Sequence, residues 1–268
     1  MHVSRGGYYQ WQNRSESNRE VENNSILREI LRIHREFKET YGSPRMTVEL
    51  NNRGVACCEN TVAKLMQEHG IRAKMDRRYK PRQWKPGSVI KKGNLLENYD
   101  GPTRPHEIWV ADFTYVKIRN VFMYFSTVMD LYTRKIVGIE ISKRRNADMV
   151  LNTIKKALAS HPDQCPDIFH SDRGIEYANY VIGNQLSVHG IKQSMSGKGN
   201  CYDNAHMESF FHTYKSELYY TEPFWNYLEF KRKTKQYVRF YNERRLHSSL
   251  GYRSPVDFEK VALASVNF

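Results

Sequence analysis

No run of eighteen apolar residues occurs anywhere in the 268-residue chain, so the sequence offers no membrane-spanning helix. The opening "MHVSRGGYYQWQNRSESNRE" has no apolar core of the kind a secretory signal needs, so a cytoplasmic protein is expected. Cysteine is scarce: Cys57, Cys58, Cys165 and Cys201 are all there are, none forms a C-x-x-C pair, and two are adjacent. That argues against a disulfide framework and a structural zinc site, and fits a reducing compartment. Internal repeats and low-complexity stretches are absent. Negative charge is in deficit, with 29 acidic side chains against 42 basic ones and a net charge of +13. At 40% hydrophobic and 13% aromatic residues, the chain is too apolar to be a disordered tail.

The excess charge is uneven. Residues 1–100 carry 19 basic and 12 acidic side chains, residues 101–230 carry 14 of each, and residues 231–268 carry 9 and 3. A neutral centre is thus flanked by basic ends. The densest stretch, "RAKMDRRYKPRQWKPGSVIKK" (72–92), holds nine bases and one acid, with Tyr79 and Trp84 among them. Charge so concentrated points to a polyanion, most simply nucleic acid.

Apolar spacing predicts helices over 22–39 (Ile26, Ile30, Ile33 and Phe37 on one face), over 44–54, with Ser43 as its cap, and over 58–70. Gly54 and Gly70 end the last two. Three short helices with tight turns resemble a helix-turn-helix unit, a pattern that non-binding bundles share. Proline and glycine then mark a break, and the periodicity changes. Residues 106–118, 121–132 and 134–143 read as strands, 146–161 as a helix capped by Asn146, 166–172 as a strand, 179–190 as a helix and 191–196 as a short strand. A helix opens near Asp203, with Ala205, Met207, Phe210, Tyr214 and Leu218 as its core side. A last long helix spans 225–245. This order is that of an α/β domain.

Most acids of the neutral centre have ordinary places. Asp148 starts a helix, Asp130 flanks a turn, and Asp163 and Asp167 lie in a Pro-flanked loop. Asp112 differs, because it interrupts the apolar strand "IWVADFTYV" on the face of Ile108, Val110 and Thr114. A lone carboxylate there costs several kcal/mol, roughly, unless a cation or metal offsets it. Asp172 ends an apolar strand just before Gly174, and ligands gather at such strand ends in α/β sheets. Glu208 shares a helical stripe with Asn204, Phe211, His212 and Lys215. Two aspartates and a glutamate are hard oxygen donors of the kind Mg²⁺ takes. Two such ions about 3.5–4 Å apart clamp the attacking and leaving oxygens of a phosphoryl displacement. Spacing alone does not establish that the three acids meet.

The segments "WVADFTYV", "FHSDRGIEYAN" and "SMSGKGNCYDNAHMESFFHTYKSEL" resemble the core motifs of bacterial insertion-sequence transposases of the Asp-Asp-Glu class, which have a retroviral-integrase-type core. Thirty-five residues separate Asp172 from Glu208, the spacing of that class, and Lys215 falls where the family has a basic residue on the same helix. The ending "YNERRLHSSLGYRSPVDF" and the segment "TYGSPRM…VAKLMQEHGIRAK" are similar to the terminal signature and helical module of the IS-three group's second-reading-frame product. Cys201 stands where relatives often have proline, and "VADF" replaces a commoner threonine-led form.

The resemblance implies a ribonuclease-H-like domain preceded by a small all-α, helix-turn-helix-like domain. The divisions expected are an arm at 1–21, a DNA-binding module at 22–75, a basic linker at 76–104, a catalytic core at 105–250 that includes the final basic helix, and a tail at 251–268. It implies metal-dependent cleavage of the element's 3′ ends and their joining to DNA, with Asp112, Asp172 and Glu208 holding two Mg²⁺ or Mn²⁺ ions. The implied partners are double-stranded DNA, both terminal repeats and target, at least one further copy of the chain, and the upstream-reading-frame product. Its place would be the bacterial nucleoid. Lys215 is expected at phosphate, with Asn204, Lys198, Arg77, Arg78, Lys80, Arg82 and Lys85 as further DNA contacts. Arg244 and Arg245 match the terminal signature and are expected to serve DNA contact or subunit packing. A catalytically silent DNA-binding regulator and a structure-specific nuclease are the competing readings.

Overall fold

Ser17 starts the first long helix. Its hydroxyl accepts from the Glu20 N–H while the Glu20 carboxylate returns to the Ser17 backbone, a reciprocal cap that fixes the helix start. The computed structural model describes residues 4–74, 93–97, 99–197 and 205–266, and the chain falls into two compact units, Met1–Asp76 and Arg77–Phe268.

The first unit holds α1 (Arg5–Gln12), α2 (Asn18–Glu36), α3 (Ser43–Asn52) and α4 (Glu59–Glu68). Ile26, Ile30 and Ile33 of α2 are buried with Met46 and Leu50 of α3 and Val62, Leu65 and Met66 of α4. Phe37 and Tyr41 stack at 4.3 Å beneath them. Arg53 bonds both Glu36 and Glu49, tying the end of α3 to the end of α2. Gly54 and Gly70 take φ of +82° and +67°, which only glycine adopts without strain. Two local readings change. Gly42, not Ser43, caps α3, with Ser43 the first helical residue. The arm at 1–21 contains α1, capped by Ser4 and exposed on every side, and the first turn of α2.

The second unit is built on a five-stranded sheet. Its strands are β1 (Ile108–Ile118), β2 (Val121–Asp130), β3 (Ile136–Ser142), β4 (Ile168–Ser171) and β5 (Lys192–Met195), in the order β3-β2-β1-β4-β5. The first three pair antiparallel, and β1–β4 and β4–β5 pair parallel. One face is covered by α5 (Ala147–Ser160) and α6 (Tyr180–Val188), the other by α7 (Ala205–Tyr214) and α8 (Tyr227–Glu243). Because both faces are covered, β1 is apolar on both sides: Ile108 and Val110 pack toward Met207, Phe210 and Phe230, while Trp109 and Ala111 pack toward Ile154 and Leu186. α5 lies so close to β3 that a Cβ on Gly138 would stand 2.7 Å from Ala157. This is the mixed sheet and helix order of a ribonuclease-H-like domain.

Four details depart from the sequence reading. Met207, Phe210, Tyr214 and Leu218 form the core face as expected, but Ala205 is exposed and Phe211 is buried with them. α7 passes into a π turn, Lys215–Tyr219. Residues 251–268, expected as a tail, contain α9 (Pro255–Val266), held to the sheet by Glu259, which bonds His106 and Lys135. Asp130 is likewise more than a turn residue: fully buried, it accepts from the backbone N–H groups of His106 and Thr133.

Candidate active site

The parallel ladder between β1 and β4 ends at the pair Ala111–Ser171. Asp112 and Asp172 are the next residue on each strand, which sets them side by side where β4 stops and β1 runs on. Neither is simply solvated. Asp112 accepts from the Phe113 N–H at 2.7 Å, and Asp172 from the Gly174 N–H at 2.9 Å. Burial, followed by the negative charge of Asp172 and, more weakly, of Glu208, pushes the Asp112 carboxyl well above the usual carboxylate range. Burial also raises Asp172, with Glu176 adding to the rise and Arg145 opposing it.

Glu208 lies exposed in the first turn of α7, on the sheet face to which Asp112 belongs. Lys215 follows two turns later, at the start of the π turn. Its half-buried ammonium is lowered by desolvation and raised by Asp112, so the lysine is an electrostatic neighbour of the same carboxyl. The charges of Asp172, Glu208 and Lys215 thus all bear on the Asp112 carboxyl. Single π turns are frequent at functional sites. Here the turn is anchored from below, where Glu217 is buried against Arg245 at 2.7 Å and accepts from the Tyr237 hydroxyl at 2.9 Å.

A second set of residues surrounds Asp172, of which Arg145 and Glu176 were not singled out from sequence. Arg145, in the loop before α5, grips the buried Glu176 with two hydrogen bonds of 2.5 and 3.1 Å. Its guanidinium lies 4.7 Å from the Phe113 ring centroid. Gly174 sits inside this arrangement, and a Cβ there would stand 2.9 Å from Asp172 Oδ1 and 3.1 Å from Glu176 Oε2. His170, one strand position before Ser171, is fully buried between the hydroxyls of Ser194 and Ser196, at 2.9 and 3.2 Å. It ties β4 to β5 and their connection, and so fixes the strand end that carries Asp172.

The residues expected at DNA are placed unequally. Lys215 belongs to the acid cluster. Arg244 is exposed at the end of α8. Arg245 is a correction: it is buried and its guanidinium is committed to Glu217, so a phosphate has no approach to it and its role is structural. His247, beside it in the signature, packs edge-on against Tyr241 at 4.6 Å. Lys198, Asn204, Arg77, Arg78, Lys80, Arg82 and Lys85 lie outside the described residues.

The donor chemistry fits a divalent cation. The candidate ligands are carboxylate oxygens, and burial pushes Asp112 and Asp172 toward the protonated form, with the Asp172 charge adding to the rise at Asp112 and the Glu176 charge to that at Asp172, which a cation would relieve. Among the described residues no three His, Cys, Asp or Glu side chains form a group that could hold a metal ion.

Family models agree with this architecture. Residues 102–201 and 189–255 each match a model of an integrase core domain, and residues 21–79 match an HTH-like domain. The chain is 36% identical over 259 residues to the insertion element IS600 31 kDa protein of Shigella sonnei, covering 96% of this chain and 95% of that one. It is 33% identical over 267 residues to the transposase InsF for insertion sequence IS3A of Escherichia coli K12, covering 98% and 93%. The HTLV-2 integrase catalytic core domain, solved in complex with magnesium, aligns with 59% of this chain and 98% of its own at 13% identity and a TM-score of 0.44.

Proposed function

The chain belongs to the IS3-family transposases, and from that membership we propose that it cuts the 3′ ends of its insertion sequence and joins them to DNA by metal-assisted phosphoryl transfer. The observation that carries the reading is the placing of Asp112 and Asp172 just past the last pair of two parallel strands, with Glu208 and Lys215 both acting on the Asp112 carboxyl. Asp112, Asp172 and Glu208 would hold the metal. Two bound Mg²⁺ or Mn²⁺ ions would supply a clamp on the attacking and leaving oxygens of an in-line displacement.

The chain's own residues do the rest. Lys215, cationic and half-buried, meets a non-bridging phosphate oxygen at the scissile position. In cleavage, water adds to phosphorus and the 3′-oxygen leaves as a hydroxyl. In joining, that hydroxyl adds to a second phosphorus and the strand beyond it leaves. Arg145 and Glu176 hold the Asp172 loop through both steps. Arg244, with Arg77, Arg78, Lys80, Arg82, Lys85, Lys198 and Asn204, would follow the backbone of the duplex, and the helical unit would read the element's end. Two ends have to be brought together, so at least two copies act on DNA, with the upstream-reading-frame product as a further partner. No helix among the described residues is long and apolar enough to cross a membrane. On this reading the chain would work at the bacterial nucleoid.

The test is a gel assay on a labelled duplex carrying the element's own end, with Mg²⁺ or with EDTA. Metal-dependent nicking and a joined product, both lost in Glu208→Gln, are expected. Nicking that persists in EDTA, or in Glu208→Gln, would overturn the mechanism.

A further inference from the structure

Three residues beyond Asp112 on the same strand, Tyr115 is 59% exposed, a large ring with no core to fill. Its nearest aromatic neighbour is Phe122 on β2, itself 48% exposed, with ring centroids 5.7 Å apart and planes at 78°. The Lys215 ammonium stands 5.9 Å from the Tyr115 centroid. Lys215 is the same cation that neighbours the Asp112 carboxyl, so one side chain joins the acid cluster to the aromatic pair.

The edge of β1 here is also open to a strand-like ligand. β4 stops opposite Ala111, whereas β1 continues to Ile118. Farther along, the Tyr219 hydroxyl closes the edge at Lys117, accepting from its N–H at 3.1 Å and donating to its C=O at 2.9 Å. Between those two points, among the described residues, no strand pairs with this edge of β1. Among the described residues, an unpaired stretch of strand edge, an exposed ring and a cation therefore lie together a few positions along β1 from Asp112. Tyr115 alternates to the opposite face of the strand, and Lys215 is the side chain that relates both sides of the edge.

We propose that Tyr115, backed by Phe122, is the stacking platform for an unpaired base at the DNA end whose phosphate lies at Asp112 and Lys215. The inference deepens the phosphoryl-transfer reading and rests on it. Aromatic faces beside a cation suit bases freed from a duplex, because every base has a π-face and stacking tolerates any sequence. A duplex end must open for its reacting strand to reach a site recessed at a strand terminus, and a base leaving the stack needs a new one. Tyr115 is thus a positioning residue for the reacting strand, and its requirement is for a flat ring, not for the hydroxyl.

The competing explanation is an ordinary cross-strand aromatic pair that steadies the hairpin. The two are separated by placing 2-aminopurine at the terminal and penultimate positions of the element-end duplex. Fluorescence is then read on binding to the full chain in Ca²⁺, with cutting scored in parallel in Mg²⁺. Trp225, equally exposed at 59%, serves as the control aromatic. The parent should quench the probe. Tyr115→Phe and Tyr115→Trp should keep the quenching, and Tyr115→Ala should lose it and cut about five- to a hundredfold more slowly, at an unchanged melting temperature. Trp225→Ala should change neither.

Quenching and cutting retained in Tyr115→Ala would overturn the stacking inference while leaving the function standing. Equal losses in Tyr115→Ala and Trp225→Ala would also overturn it. So would a loss of cutting that tracks a fallen melting temperature and is not rescued by Phe. Quenching lost in Tyr115→Ala, with a parent that neither nicks nor joins, would uphold the platform and overturn the phosphoryl-transfer reading.

Discussion

Glu217 and Arg245, twenty-eight positions apart in the chain, meet as a buried ion pair at 2.7 Å, with Glu217 inside the π turn that begins at Lys215. The pair joins the helix of Glu208 to the end of α8. Arg245 of the terminal signature is thereby packed inside, against the helix that carries Glu208, whereas Arg244 beside it is exposed. Tyr237 donates its hydroxyl to the same carboxylate, and burial together with the Glu217 charge raises that hydroxyl well above its ordinary value, so it stays a donor.

Removing one partner of this pair leaves a buried charge alone, at a cost of about 3–5 kcal/mol. Arg245→Met and Glu217→Gln should each lower the melting temperature, on the order of 10 °C for a domain of this size. The double variant should recover part of the loss, because neither charge is then stranded. Calorimetry on the three proteins checks this. Single variants as stable as the parent would mean that the pair is not buried in solution.

Gly174 gives a more local test. A methyl group there meets Asp172 Oδ1 and Glu176 Oε2 at distances where something must give. Gly174→Ala should therefore displace the Asp172 loop and cut activity at least tenfold, with little change in melting temperature. Glu176→Gln, which keeps the shape but weakens the Arg145 grip, should fall between parent and Gly174→Ala. Its signature is a higher Mg²⁺ requirement, since supporting groups around a metal site typically cost 10–100-fold in affinity or activity when changed. An identical Mg²⁺ titration for parent and Glu176→Gln would remove the loop from the site's support.

These pairs also mark where the sequence stopped being legible. Asp112 was conspicuous because a carboxylate in an apolar strand violates a local rule. Asp172 was marked by its place between an apolar run and a glycine, and the sheet and helix order followed from period and turns. Arg145–Glu176 and Glu217–Arg245 break no local rule. Each looks like surface charge until the fold closes 28 or 31 positions of chain and buries it. Tyr115 was hidden for the opposite reason, since an aromatic residue in a strand reads as core and only the early end of β4 exposes it. The exposed α1 was missed because it is two turns long and buries no side chain, and the C-terminal α9 because its apolar residues form no clear helical stripe.

Acid should loosen the attachment of α9. Burial pushes the Glu259 carboxyl up, but the hydrogen bonds from His106 and Lys135 and the Lys135 charge more than reverse it, leaving it below its ordinary value of 4.5. A carboxyl lowered on folding stabilises the native state above its unfolded value, and loses that contribution as pH falls through the folded one. Asp130, raised chiefly by burial, works in the other direction, so the comparison has to be with a variant and not with a calculated curve. Urea midpoints between pH 6 and pH 3 should fall more steeply for the parent than for Glu259→Gln. Parallel curves would show that Glu259 does not hold α9 through its charge.

The basic linker should reveal itself through salt. Each phosphate neutralised on duplex DNA contributes about 0.9 to the slope of log affinity against log salt. Four contacts through Arg77, Arg78, Lys80 and Arg82 would then carry roughly 3–4 units of slope. Replacing all four by alanine should weaken binding most at low salt and flatten the dependence by that amount. Glu208→Gln, altered only at the metal site, should keep the parent's slope while losing more than about a hundredfold in cutting, beyond the range reached when only supporting groups are changed. The two variants thus separate holding the DNA from cutting it. A quadruple variant with the parent's salt slope would place the phosphate contacts elsewhere, with the exposed Arg232, Lys235 and Arg239 of α8 the next residues to replace.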